Sequence, residues 1–185
     1  MSVEFVGFAD DCRIYARLEL EGRRLTDILN EAAEVQLTGV LMESLEDGHA
    51  VELTEVAVTR DDLYAVVGTG GRGAANRRIR TRAHPVEMKL GGYLVSGNIH
   101  TRPGSDPLAG VLRRAPMVPL TDARIHFSRD GEPQSCEFDA LIVNRDHVEW
   151  IRPMASGVTP LPDMPGIIPE QGPSLAKDFT GSLSD

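Results

Sequence analysis

Residues Leu25 to Thr38, LTDILNEAAEVQLT, occur twice in outline. Adding 83 to each number reaches Leu108 to Thr121, LAGVLRRAPMVPLT, with no gap. Leu25, Leu29, Ala32, Val35, Leu37 and Thr38 recur as Leu108, Leu112, Ala115, Val118, Leu120 and Thr121. The stretch contains two periodicities. Leu25, Ile28, Leu29 and Ala32 fall at i, i+3, i+4 and i+7, one face of a short helix, as do Leu108, Val111, Leu112 and Ala115. From Val35 and from Val118 the alternation changes to that of a strand. In the second copy Asp106 can cap the helix, Pro107 suits its first turn and Pro116 ends it.

The correspondence extends outward. Val3-Glu4 matches Val86-Glu87, and the turn signal Asp47-Gly48 matches Asp130-Gly131. Beyond that turn the offset becomes 85, so that Glu52, Val58, Arg60 and Asp61 match Glu137, Val143, Arg145 and Asp146. A two-residue insertion in a turn accounts for the change, since turns tolerate insertion.

Read together, the copies predict strands at 3–8, 12–20, 35–45, 51–59 and 63–67, and again at 86–90, 94–100, 118–127, 136–144 and 148–151. The expected fold is α+β and mostly β. It is a tandem duplication of a β-β-α-β-β-β unit of about 65 residues, each a small bent sheet or partly open barrel, the two related by a pseudo-twofold. Residues 1–67 form repeat one, 68–85 a Gly/Arg-rich linker, 86–152 repeat two and 153–185 a Pro/Gly-rich tail.

The net charge of −9 is unevenly distributed. Residues 1–67 carry 5 basic and 15 acidic groups, whereas 68–85 carry five arginines and no acid. An acidic chain disfavours general nucleic-acid binding, which draws on a basic face. Arg72, Arg77, Arg78, Arg80 and Arg82 are the candidates for contact with a polyanion or an acidic partner surface. No aromatic side chain stands among them for base stacking. In the tail, Leu161, Met164, Ile167 and Ile168 are candidate apolar anchors onto the body or a neighbouring subunit.

The chemistry-bearing residues form no recognised constellation. His49, His84, His100, His126 and His147 show no metal-ligand spacing. The glycines at 68, 70, 71 and 73 lack the Lys-Ser/Thr of a phosphate loop and the helix of a dinucleotide fingerprint. The serines have no nucleophile-elbow context. Cys12 and Cys136 are expected to be reduced. No cofactor is implied. No leader pattern opens the chain and no apolar run reaches membrane-spanning length, so a bacterial or archaeal cytoplasm is the expectation.

The Leu25–Asn30 helix and the Leu120-Thr121-Asp122 strand resemble an uncharacterised bacterial repeat-domain family, in which a short L-T-D-x-L-N helix precedes a strand reading L-T-D. That resemblance implies no activity. The positions shared by the two copies are apolar or turn-forming, hence scaffold. The expected function is that of a non-enzymatic scaffold or adaptor acting through a protein partner or self-assembly. Polyanion binding by the linker arginines and a small-molecule site between the repeats are the alternatives.

Overall fold

The computed structural model describes residues 1–68, 81–106, 108, 111 and 115–154. Its elements run β1 (Ser2–Phe8), β2 (Cys12–Glu19), α1 (Leu25–Glu31), β3 (Glu34–Ser44), β4 (Ala50–Thr59), a 3-10 turn (Arg60–Asp62) and β5 (Ala65–Val67). They continue with β6 (Arg82–Leu90), β7 (Tyr93–Thr101), β8 (Met117–Arg129), β9 (Glu132–Asn144), a second 3-10 turn (Arg145–His147) and β10 (Val148–Pro153). The expected strands are present. β6 begins earlier than expected, inside the Gly/Arg-rich segment, because Arg82 to Pro85 pair with Thr101 to Asn98 of β7.

The ten strands of the described residues join one antiparallel sheet in the order β10-β6-β7-β8-β9-β5-β1-β2-β3-β4. The second half contributes β10-β6-β7-β8-β9 and the first half β5-β1-β2-β3-β4, so each has its strands in the same order. The registers agree as well. Adding 83 to β3 and 85 to β4 turns Val35↔Val58 into Val118↔Val143, and Leu37↔Val56 into Leu120↔Leu141. In the first hairpin the equivalence is 81 rather than the 83 read from Val3-Glu4, because Phe8↔Arg13 corresponds to Lys89↔Leu94. The loop from β7 to the following helix is the longer one and absorbs the difference.

Each half carries a bulge at the same place. The ladder slips between Tyr15 and Arg17 opposite Gly39, and between Ser96 and Asn98 opposite Asp122. Gly39 has φ +57° and Asp122 φ +49°, the left-handed conformation that accommodates an extra residue in a bulge. The L-T-G-V and L-T-D-A runs are thus two versions of one bulge.

The halves are joined head to tail. β5 pairs with β1 on one side and with β9 on the other, through Ala65↔Val143, Val66↔Ile142 and Val67↔Leu141. A twofold relation would also bring β4 against β10 as β9 lies against β5. Those two strands are instead the ends of the sheet.

Two apolar cores lie along the sheet and exchange residues across the junction. The first, built on Phe5, Ile14, Leu18, Leu29, Leu37 and Leu63, takes in Met117 and Ile142 from the second half. The second, built on Val86, Met88, Val95, Ile99, Leu120 and Ile125, takes in Phe8 and Ala65 from the first. Leu108 and Val111 belong to it on the helical face read from the sequence, and the Asp106 carboxylate accepts the Leu108 N–H at 2.9 Å as an N-terminal cap would.

Candidate functional site

Three places combine chemistry with geometry: the seam between the halves, an open pocket on β7–β9, and the two outer edges of the sheet.

The seam is occupied by side chains. Phe8 sits edge-on to Tyr93 and Phe127, both at 5.7 Å, and to Phe138 at 6.2 Å. The Tyr93 hydroxyl donates to the Ala9 carbonyl. Burial pushes the Tyr93 phenol above its ordinary pKa. Arg13 is buried beside these rings, with its guanidinium 5.0 Å from the Tyr15 ring centre and 5.4 Å from that of Phe127. Glu43 carries its charge partner, 3.9 Å from Arg13 and 2.7 Å from Arg129 of the other half. Burial, helped by the Asp11 carboxylate, pushes the Cys12 thiol up to about 11, and burial pushes Tyr15 up to about 12. Both groups stay neutral at physiological pH, so neither is poised as a nucleophile or base.

Polar clamps hold the same seam. Asn30, at the end of α1, donates to the Met117 carbonyl at 3.0 Å and accepts from the Met117 N–H at 2.9 Å. Its amide therefore pairs with the start of β8 as a neighbouring strand would. Asn144, fully buried, donates to the Arg60 carbonyl at 3.2 Å. His147 stacks on Tyr64 at 4.0 Å and lies 2.6 Å from the Asp61 carbonyl oxygen. These contacts lock one 3-10 turn onto the other.

An open pocket of about 310 Å³ lies over the second bulge, lined by Ser96, Asp122, Arg124, Glu137, Phe138 and Asp139. Arg124 pairs with Glu137 in its wall, and Asp122 accepts from Asn98 at 3.0 Å. His126 pairs in register with Ser135 of the next strand, and burial together with the Arg124 charge lowers its pKa. Among the described residues no group of three or more His, Cys, Asp or Glu is placed to hold a metal ion.

The outer edges are different in character. Apart from Met1, the large apolar side chains that are exposed among the described residues are Val51, Leu53 and Trp150. Val51 and Leu53 are on β4 and Trp150 is on β10, the two strands that end the sheet. Trp150 is stacked under the Arg152 guanidinium at 5.2 Å, and Arg152 is tied to Glu87 at 2.7 Å. The strand pattern in the sequence marked both as strands. It gave no sign of which strands would be terminal, since that depends on where β5 and β9 meet.

Of the arginine candidates, Arg82 lies at the exposed start of β6. Arg72, Arg77, Arg78 and Arg80 lie outside the described residues, as do the tail candidates Leu161, Met164, Ile167 and Ile168. Among the described residues no helix is long and apolar enough to cross a membrane. No family model, curated protein or solved structure matches this chain.

Proposed function

We propose that this chain is a tandem duplication of one five-stranded unit, and that it serves as a scaffold working by protein association rather than by catalysis. The observation that carries this reading is the placement of the exposed large apolar side chains, Val51, Leu53 and Trp150, on the two strands that end the sheet. A terminal strand presents unpaired N–H and C=O groups, and apolar side chains beside them favour docking of another polypeptide strand. The chemistry at the seam supports the same reading. Glu43 pairs with Arg13 and, across the halves, with Arg129, while burial holds Cys12 and Tyr15 neutral.

The test is a photo-crosslinking amino acid at Leu53, compared with one at Glu21, which is exposed in a loop. The reading expects light-dependent adducts with protein from Leu53 in living cells and few from Glu21. Absence of protein adducts from Leu53, with the folded protein present, would overturn it.

A further inference from the structure

We infer that the strand docking on β4 is β10 of a second copy of this chain, so that copies associate head to tail in the way that the two halves already do. The inference rests on the association reading above and names its partner. The argument is one of equivalence. Inside the chain, the edge of β9 meets the edge of β5. By the matched registers β4 is the counterpart of β9, and β10 the counterpart of β5. The two edges that meet in the seam are therefore the counterparts of the two edges that stay unpaired among the described residues. An association that repeats a joint between unlike edges is heterologous, and it extends until it closes into a ring or grows as a filament.

The register follows from the one inside the chain. Subtracting 85 on one strand and adding 85 on the other converts Ala65↔Val143, Val66↔Ile142 and Val67↔Leu141 into Trp150↔Val58, Ile151↔Ala57 and Arg152↔Val56. The backbone groups also point the right way. Asn144 N–H donates to the Tyr64 carbonyl and Gly68 N–H to the Ala140 carbonyl, each at 2.9 Å, so residues 140, 142 and 144 of β9 face β5. The same alternation in β4 is Glu55, Ala57 and Thr59. Val56, Ala57 and Val58 form an uncharged apolar edge, and Val51 and Leu53 stand where β9 has Cys136 and Phe138. Phe138 packs on Phe8 across the seam.

The two joints differ in strength. Pro153 replaces Gly68 and brings no N–H, so one ladder bond is lost. Thr59 and Asp62 stand where Asn144 and His147 make their clamps. The joint between copies keeps the strand pairing but lacks those polar ties, and Lys89 stands where Phe8 meets Phe138. Reversible, concentration-dependent association follows.

The experiment uses the purified full-length chain and measures mass by sedimentation over a dilution series. Ala57→Pro removes the outward N–H of β4 without touching the ladder to β3, and Ile151→Pro does the same for β10. Trp150→Glu, at an exposed position, replaces Ile151→Pro if that variant melts early. The expected result is that the wild type forms oligomers that dissociate on dilution. Either variant alone should be monomeric. A mixture of the β4 and β10 variants should form a heterodimer and nothing larger, because each contributes one intact edge. A monomeric wild type, single variants that still dimerise, or a mixture that stays monomeric would each overturn the inference. If Leu53 adducts to another protein persist in any of those cases, the association reading survives while the second copy is ruled out.

Discussion

Gly39 isolates the cost of the bulge because a Cβ built there meets nothing within 4 Å, so a substitution is judged by its backbone alone. At φ +57° a β-branched residue is strained, and Gly39→Val is expected to cost about 1–2 kcal/mol in a denaturant titration. Gly39→Asp, which copies the second half, is expected to cost less, since Asp tolerates this conformation better. Equal losses for the two would undo the account of the bulge. A second residue carries a pH signature. The folded protein depresses the His126 pKa through burial and Arg124, against the smaller opposing pull of Glu87. The unfolded chain then binds more protons at this site, so stability falls as pH drops through about 6.5 and below. The melting temperature of His126→Gln is expected to change less over that range than that of the wild type. The Leu-Thr pair before each bulge, Leu37-Thr38 and Leu120-Thr121, was legible in the sequence as a recurring motif. Its reason, a left-handed residue at a bulge, was not, because neighbouring-strand register is invisible from one strand.

α1 shows what an element of this size depends on. It has seven residues, and its N-cap position, Arg24, makes no side-chain cap bond. A helix so short is not stable alone in water. It is held by Leu25, Ile28 and Leu29, all buried, and by the Asn30 amide on Met117. Leu29→Ala is expected to cost about 2–5 kcal/mol by chemical denaturation, since Leu29 is fully buried. The matching expectation for Leu112 falls outside the described residues. Asn30→Asp tests the clamp more narrowly. A carboxylate accepts from the Met117 N–H but has nothing to donate to its carbonyl, leaving an acceptor facing an acceptor. A loss of about 1–3 kcal/mol is expected, and Asn30→Gln is not expected to restore it, because the longer side chain misplaces both atoms. The 3.6-residue spacing made the apolar face readable in advance. That Asn30 would reach across to the other half was not readable, for the contact spans 87 residues.

For the whole molecule the decisive feature is that neither half completes its own core. Met117 and Ile142 fill the first core, and Phe8 and Ala65 fill the second. β5, only three residues long, is held between β1 and β9. The duplicated pattern in the sequence suggested two units, each with a marginal core, packed side by side about a pseudo-twofold. It omitted the exchange because Leu141-Ile142-Val143 and Val56-Ala57-Val58 are both apolar runs, and composition does not tell which is covered. The three β9 residues are fully or almost fully buried, whereas Ala57 is exposed. Units of this size are marginal by themselves, and here each is also missing part of its interior. The chain is therefore expected to unfold in a single cooperative transition, with calorimetric and van't Hoff enthalpies in agreement when dilute enough to be monomeric. A fragment of residues 1–67 is expected to lack a cooperative melt, because it exposes the Val66 edge and leaves the places of Met117 and Ile142 empty. Adding the complementary fragment 81–185 should restore the melt if the exchange of core residues is what joins the halves. Two separate transitions in the intact chain, or a cooperative melt for the isolated first half, would show instead that the halves are independent domains sharing a sheet edge.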